Sequence, residues 1–248
     1  MRIISLVPSL TEYLWALGLE EEVVGITKFC IHPKAWWQEK TRVGGTKKVN
    51  LKTIDTLQPS LIIANKEENT KEDIQQLQLR YDVIVTDINS LDEAYHYLLE
   101  IGQKVQREEK SLSLVSQIQA NFQSLVNIGQ GASFLYFIWK DPYYVVGPKT
   151  YIHALLTHFG LVNSCEIDRY PDLNQVLANK NSLANTQAIN PDYIFLSSEP
   201  FPFEVKHLDE VQVLFPKSKI VLIDGEICSW YGSRMLNAPE YIVQVLSS

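Results

Sequence analysis

Short apolar runs alternate with longer amphipathic stretches along most of this chain of 248 residues. A strand covered on both faces is a short apolar run, and the amphipathic stretch after it predicts a helix that covers the sheet. The sequence therefore predicts an α/β fold with mostly parallel central sheets. Predicted strands are 2–7, 22–26, 60–64, 82–86, 132–138, 143–146, 192–196 and 219–223. Predicted helices are 10–18, 51–57, 70–80, 150–159, 204–214 and 236–246, with short helices around 173–187.

One segment departs from this alternation. From Ser90 to Asn127 there is no proline and one glycine, Gly102, and the apolar residues keep near-helical spacing. Ser90 is the expected cap, as Ser9 or Thr11 and Asn69 or Thr70 are for two shorter helices. The segment predicts a single helix of more than thirty residues. The predicted organisation is an N-terminal α/β lobe (1–89), a linking long helix (90–127) and a C-terminal α/β lobe (128–248), with a ligand cleft between the lobes.

The two predicted lobes resemble each other in sequence. The matched positions, 132 residues apart, are Pro59 with Pro191, Ile62 with Ile194, Glu67 with Glu199, and Glu72 with Glu204. At a slightly larger spacing, Asp87 matches Asp224. The repeat predicts two similar lobes. Ligands of parallel α/β sheets lie beyond the carboxyl ends of the strands, where Asn65–Glu68 and Ser197–Phe201 fall. The alternative is that these residues are polar because loops are exposed.

Composition and motifs exclude several classes of function. The net charge of −7 argues against binding nucleic acid or anionic lipid. No apolar run has the length of a membrane span, so no membrane insertion is expected, and the N-terminus is expected to be a strand rather than a secretory leader. Cys30, Cys165 and Cys228 are expected to be semi-buried free thiols. The usual nucleotide-binding, hydrolase and zinc-protease motifs are missing, so no enzyme is predicted. The spread of the five histidines predicts no bare-metal site, and His32 alone is left as an axial ligand for a chelated metal.

A family resemblance rests on "RIISLVPSLTEYLWALGLEEEVVGITKFC" and "VGGTKKVNLKTIDTLQPSLIIANKEEN". With the long segment that follows, these stretches resemble the class III periplasmic substrate-binding proteins, the helical-backbone metal receptors. "IWKDPYYVVG", "SSEPFPF" and "DGEICSWYGSR" resemble the cobalamin-binding-like subgroup. The resemblance implies two lobes on one rigid helix and a monomer with no covalent cofactor. The implied ligand is a corrinoid such as vitamin B12, haem or a ferric siderophore, delivered to an ABC permease.

Ligand-binding candidates are residues placed to grip a flat chelate with rings, lysines and polar side chains. They are Pro8, Ser9, Lys28, Phe29, Asn65, Lys66, Glu67, Trp139, Tyr143, Tyr144, Glu199, Phe201, Trp230, Tyr231 and Arg234. Trp230 and Tyr231 are expected to be exposed to the cleft, while the alternative for every ring, including Phe203, is core packing. Arg234 either binds an anionic ligand or pairs with Asp224 or Glu226. Trp36 and Trp37 form either a lip or a loop pinned to the surface.

The resemblance also implies docking on the permease through one acidic residue on each lobe. Glu72 and Glu204 suit this role, while Glu67 and Glu199 suit the cleft; for Glu72 the alternative is helix-dipole complementarity. The predicted function is substrate binding for an ABC transporter, in the periplasm or another extracytoplasmic location. The alternative is a cytosolic, non-exported relative that acts as a corrinoid carrier or enzyme component, because the sequence shows no leader.

Overall fold

A computed structural model describes residues 1–181 and 189–247, with the side chains of 179–181 left out. The described chain forms two compact units. Unit 1 comprises 1–88, 92–118 and 230–236, and unit 2 comprises 89–91, 119–229 and 237–248. The predicted lobe boundaries at 89/90 and 127/128 stay a prediction. The part of the predicted helical region 173–187 that lies beyond Asn181 falls outside the described residues.

Unit 1 is built on a five-stranded parallel sheet with β1 at its centre, in the order β3-β2-β1-β6-β7. Its strands are β1 (Ile3–Ser5), β2 (Val23–Ile26), β3 (Thr41–Arg42), the antiparallel pair β4 (Gly44–Gly45) and β5 (Lys48–Val49), β6 (Leu61–Asn65) and β7 (Val83–Thr86). Its helices are α1 (Pro8–Ala16), α2 (Lys34–Glu39), α3 (Leu51–Leu57) and α4 (Lys71–Gln78). The helices bury the apolar faces of β1 and β6, where Ile4, Ile62 and Ala64 are fully enclosed.

Two further helices follow, α5 (Leu91–Lys104) and α6 (Glu108–Gln123), where the sequence predicted one. The single linking helix is therefore wrong. Gln106 adopts a left-handed backbone with φ 58°, and the Arg107 N–H donates to Gly102 O at 2.8 Å, which is how helices commonly end. Glycine usually holds that position, so a glutamine there left no signal in the sequence. Glu108 and Glu109 then begin α6 where the helix dipole favours acids.

The one glycine of that segment lies where two helices meet. Gly102 lies inside α5, where a Cβ would come 2.2 Å from Ser111 Cβ on α6. Tyr13 of α1 reaches the same place, and its hydroxyl lies 2.8 Å from both Leu98 O and Ser111 Oγ. The missing side chain at Gly102 therefore lets α5 and α6 pack closely within unit 1.

Unit 2 contains a mostly parallel sheet in the order β10-β8-β11-β12, with β9 antiparallel to β8. Its strands are β8 (Ser133–Trp139), β9 (Tyr144–Val145), β10 (Val162–Asn163), β11 (Tyr193–Ser197) and β12 (Lys219–Ile223). Its helices are α7 (Tyr151–His158), α8 (Leu173–Asn181), α9 (Leu208–Leu214), α10 (Gly225–Ser229) and α11 (Ala238–Ser247), with a 3-10 turn at Val205–His207. Leu135, Phe137, Ile194, Leu196 and Phe215 form its core.

The two sheets repeat one topology, so the α/β class and the similarity of the halves are confirmed. β2-β1-β6-β7 in unit 1 corresponds to β10-β8-β11-β12 in unit 2. β6 and β11 occupy equivalent central positions and begin and end at the predicted spacing. Asp87 and Asp224 are the first residues beyond β7 and β12. The carboxyl ends of the parallel strands, called here the carboxyl edge of each unit, therefore hold equivalent residues.

Helix α1 begins at Pro8, two residues earlier than predicted. Val7 precedes the helix without a side-chain cap, and Pro8 occupies the first turn. Proline suits that position because its fixed φ matches the helix and the N–H it lacks has no intrahelical partner. Ser9 and Thr11 therefore do not cap α1. Thr70 does cap α4, since its side chain accepts a hydrogen bond from Asp73 N.

Candidate functional site

The carboxyl edge of unit 1 is organised by Asn65, the last residue of β6. Its Oδ1 accepts hydrogen bonds from Glu67 N at 2.8 Å and Glu68 N at 3.1 Å, which folds the chain into a tight turn. Its Nδ2 donates to the main chain and hydroxyl of Thr86 at 3.1 and 3.0 Å. Asn65 is 2% exposed. Asn65, a predicted ligand residue, therefore holds the loop in place, and its side chain is almost inaccessible to a ligand.

Asn69 completes the turn and connects it to two other loops. Its Oδ1 accepts from Asn65 N at 2.9 Å, while its Nδ2 donates to Leu6 O at 3.3 Å and Thr46 O at 3.0 Å. The loops after β1, β4 and β6 are thus tied by one buried amide. Sequence reasoning missed Asn69 as a site residue, although an Asn at each end of a five-residue turn was a visible signal.

Charges at this edge are mixed. Burial raises the pKa of Glu68; Lys47 opposes that rise and the neighbouring Glu67 adds to it. Lys47 also donates to the Glu67 carbonyl. Lys66 is exposed and forms a 2.6 Å ion pair with Asp87. Lys66 is therefore engaged by a carboxylate within its own unit.

The loop after β2 presents an exposed ring above a buried thiol. Phe29 is 51% exposed, and Lys28 Nζ lies 4.9 Å from its ring centroid. Cys30 Sγ lies 3.1 Å from both the Thr11 and Thr27 hydroxyls, and burial raises the pKa of the thiol. A buried, protonated thiol is a poor nucleophile and metal ligand. Cys165 and Cys228 are also free and buried, more deeply than predicted.

Residues 230–236 belong to unit 1, which corrects their predicted place among the rings of the C-terminal lobe. Trp230 and Tyr231 are each 8% exposed, so their expected exposure is wrong. The Trp230 ring contacts His32 at 5.8 Å between centroids, and the Arg234 guanidinium lies 4.6 Å from the Trp230 centroid. Arg234 Nε bonds Glu12 Oε2 at 2.9 Å. The apolar ring and the ion pair thus anchor the segment on its own unit.

In unit 2, a turn after β11 repeats the turn after β6. Ser197 Oγ accepts from Tyr136 OH at 3.1 Å and donates to Glu199 O at 2.6 Å. Ser229 Oγ donates to Glu199 Oε1 at 2.7 Å, so the carboxylate of Glu199 is held in place. Gly225 packs beneath it: a Cβ there would lie 2.5 Å from Glu199 Cγ. Sequence reasoning missed Gly225 and Ser229, because their proximity to Glu199 depends on α10, which was not predicted.

Aromatic rings form a connected cluster beside this turn. Trp139 contacts Phe201 at 5.9 Å, Phe201 contacts Phe203 at 4.8 Å, and Phe203 stacks on Tyr143 at 6.5 Å between centroids. Trp139 is 43% exposed and Tyr144 36%, whereas Phe203 is buried. Tyr143 OH donates to Glu210, which also pairs with Lys140. The ligand role stays a prediction for the exposed rings Trp139 and Tyr144, and Phe203 has the core role that the alternative described.

The two docking candidates are both exposed. Glu72 lies in the first turn of α4. Glu204 precedes the 3-10 turn and pairs with Lys206 at 2.7 Å, which lowers the pKa of Glu204.

Trp36 is 2% exposed and belongs to the core, while Trp37 lies at the surface against the Arg42 guanidinium.

Other candidate sites are weaker. Within residues 1–181 and 189–247, no group of three histidines, cysteines or acids is arranged to hold a metal ion. None of the helices described there combines the length and the apolar character that a membrane crossing requires. A cavity of about 530 Å³ lies at the opposite, amino end of β8 and β11, lined by Ala132, Asp192 and Tyr193. It contains none of the predicted ligand residues.

Comparison with known proteins defines the class. A family model described as "Periplasmic binding protein" matches residues 3–214, and the chain belongs to that family. The fold is also that of the "Periplasmic heme-binding protein RhuT" from Roseiflexus sp. RS-1 in apo form. The TM-score is 0.78 and the identity 19%, over 98% of this chain and 97% of that one.

Two curated proteins are similar to this chain in sequence. The uncharacterized ABC transporter substrate-binding lipoprotein YvrC of Bacillus subtilis is 28% identical over 166 residues, 62% of this chain and 52% of that protein. A vitamin B12-binding protein of Vibrio cholerae is 34% identical over 113 residues, 42% of this chain and 41% of that protein. The chain thus spans about half the length of the curated relatives it matches.

Proposed function

We propose that this protein binds a small metal chelate outside the cytoplasm and delivers it to the permease of an ABC importer. The observation that carries the proposal is the family match over residues 3–214. The names of the relatives, an ABC transporter substrate-binding lipoprotein and a vitamin B12-binding protein, support the transport role and the ligand class. The ligand is a corrinoid, haem or a ferric siderophore, and binding involves no covalent chemistry and no enzymatic step.

We assign ligand contact to the exposed members of the predicted set. Phe29 and Lys28 on unit 1, and Trp139 and Tyr144 on unit 2, present exposed rings and charge at the carboxyl edges, and the partly buried Phe201 contacts Trp139. A flat chelate is held by such faces because rings bury a large area at low entropic cost. Pro8, Lys66, Glu67 and Glu199 supply polar and rim contacts, while the buried Ser9 and Asn65 shape the loops. Arg234 contributes through its contact with Trp230.

Docking on the permease is assigned to Glu72 and Glu204. Both carboxylates are exposed at the start of a helical segment that follows equivalent strands, β6 and β11. A matched acidic residue on each unit would give a permease two points of registration. Lys206 shields Glu204. A permease arginine, which binds carboxylates bidentately, would replace that lysine.

Equilibrium titration tests the proposal. The full chain is titrated with cyanocobalamin, cobinamide, haemin and several ferric siderophores, with absorbance and tryptophan fluorescence as readouts. We expect a Kd of about 1 μM or tighter for at least one class, equivalent to about −8 kcal/mol. Trp139→Ala should weaken that binding about tenfold or more, because buried tryptophan contacts commonly dominate affinity.

The matched control is Trp15→Ala. Trp15 is 47% exposed, similar to Trp139, but it lies at the far end of α1 from the carboxyl edge. Its removal should change the Kd less than twofold. Failure of every chelate to bind, or equal losses for the two variants, would contradict the proposal.

A further inference from the structure

The Tyr231 hydroxyl links helix α1 to strand β7 at the carboxyl edge of unit 1. It makes hydrogen bonds with the side chains of Ser9, in the first turn of α1, and Thr86, at the end of β7. Thr86 Oγ1 accepts from Asn65 Nδ2 at 3.0 Å and donates to Ala64 O at 3.2 Å. The Tyr231 phenol is thereby linked through Thr86 to Asn65, the residue that organises the turn after β6.

The network extends from there without leaving unit 1. Asn65 holds the amides of Glu67 and Glu68, and Asn69 holds the carbonyls of Leu6 and Thr46. Asn65, Asn69 and Thr86 are each no more than 5% exposed. Buried polar groups need hydrogen-bond partners, and a network of this kind fixes geometry only while every member is satisfied. The Tyr231 hydroxyl is one of those members.

The backbone around Tyr231 is fitted to this position. Gly232 has φ +112°, and a Cβ there would come 3.0 Å from Tyr13 Cβ on α1. Only glycine accepts that conformation and that approach readily. Trp230 on one side packs against His32, and Arg234 on the other pairs with Glu12. The segment is therefore anchored on both sides of the phenol.

We propose that Tyr231 is a positioning residue, which holds the loops after β1, β6 and β7 of unit 1 instead of contacting ligand. In this sheet the strand order reverses at β1, between β2 on one side and β6 on the other. α/β sheets hold small ligands at such a switch point. Residues 230–236 contact Ser9, Glu12 and His32, which follow β1 and β2, so we assign ligand contact on unit 1 to outer residues such as Phe29. The effect on ligand binding, but not on loop order, rests on the proposed function.

Amide hydrogen exchange of the full chain tests this role. Four amides report on the turn: Asn65 N bonds Asn69 Oδ1, Glu67 N and Glu68 N bond Asn65 Oδ1, and Asn69 N bonds Asn65 O. Tyr231→Phe removes the hydroxyl and keeps the ring. We expect exchange at these four amides to become about tenfold faster.

Tyr13→Phe is the matched control. Its hydroxyl is also buried in unit 1, but it bonds Leu98 O and Ser111 Oγ of α5 and α6. Its loss should speed exchange in those helices and leave the four turn amides within twofold of the wild type. The proposal is overturned if Tyr231→Phe leaves the turn amides unchanged, or if both variants speed them equally.

Titration of the same variants with chelates distinguishes a failure of this proposal from a failure of the proposed function. For any chelate that the wild type binds, Tyr231→Phe should raise the Kd about threefold to tenfold and Tyr13→Phe should leave it unchanged. If the wild type binds none of the chelates, the proposed function fails while the exchange comparison still decides the positioning role. Unchanged affinity in Tyr231→Phe would overturn its relevance to binding.

Discussion

Glu68 illustrates how one side chain can be placed at an energetic cost. Its backbone N–H is used by the Asn65 turn, which carries the carboxyl group into the carboxyl edge of unit 1. Burial then raises the pKa of Glu68, because removing a charge from water disfavours the ionised form. Lys47 compensates only in part. An ionised carboxylate at this position therefore opposes folding.

This environment predicts a pH-dependent effect for Glu68→Gln. Because the folded-state pKa lies above the unfolded one, the stability linked to the protonated acid is present below the unfolded pKa of about 4.3 and is lost as pH rises through the folded pKa. Gln stays neutral throughout. We expect the variant to have a higher urea midpoint than the wild type at pH 7, and the difference to shrink towards pH 4.

Glu204→Gln is the control of opposite sign. The Lys206 ammonium lowers the pKa of Glu204, so its ionised form favours folding above the unfolded pKa. Neutralising this exposed residue should leave stability at pH 7 unchanged or slightly lower. A stabilising effect of both substitutions would show that net charge, and not burial, is responsible.

Gly225 is a second residue whose role depends on space. A Cβ would lie 2.5 Å from Ser197 Oγ and from Glu199 Cγ, and 2.9 Å from Glu199 N. We expect Gly225→Ala to cost about 1–3 kcal/mol, the usual range for overpacking, because the turn backbone must move. At Gly45 the nearest atoms are the side-chain ends of Phe29 and Lys28, at 3.3 and 3.4 Å. Gly45→Ala should therefore cost less than about 1 kcal/mol in the same urea titration. Equal costs would contradict the packing argument.

At the scale of elements, strands were easier to predict than helix ends. β1, β2, β6, β7, β8, β11 and β12 all fall within or next to their predicted ranges, because a buried parallel strand is a compact apolar run with clear edges. The end of α5 was missed because it depends on the backbone angle of Gln106, which composition does not reveal. The place of residues 230–236 was missed for a related reason. Their partners, Ser9, Glu12, His32 and Thr86, are far away in sequence.

The packing of α5 on α6 predicts whether Gly102→Ala raises or lowers the stability of the protein. Helix propensity alone would make Gly102→Ala stabilising by about 1 kcal/mol. Overpacking against Ser111, at 2.2 Å, opposes this with about 1–3 kcal/mol. We expect a net loss of stability of up to about 2 kcal/mol, measured by thermal or urea unfolding. In a double-mutant cycle, adding Ser111→Gly should recover part of that loss. Simple additivity of the two changes would contradict a direct clash.

At the scale of the whole molecule, the two units repeat one sheet topology but complete it differently. The last segment of unit 1, 230–236, follows the strands of unit 2 in the sequence. Unit 2 fixes its equivalent turn with Ser197, Ser229 and Gly225 from its own consecutive elements. The repeat was readable from matched residues, because equivalent strands keep equivalent polar ends. The different ways in which the two units complete their turns could not be predicted from the sequence, because each turn is fixed by contacts that only the folded chain brings together.

The repeat also leads to a prediction about transport. If Glu72 and Glu204 register the permease, Glu72→Gln/Glu204→Gln should reduce uptake about tenfold or more in proteoliposomes containing the cognate permease, with chelate affinity unchanged within twofold. The exposed acids Glu39 and Glu240, one on each unit, provide the matched control, and their double Gln variant should transport normally. Because exposed charges are screened by salt, the difference between the two variants should narrow as ionic strength rises. Equal uptake by the two double variants would exclude Glu72 and Glu204 as the docking pair. A parallel loss of chelate affinity would place them in the ligand site instead.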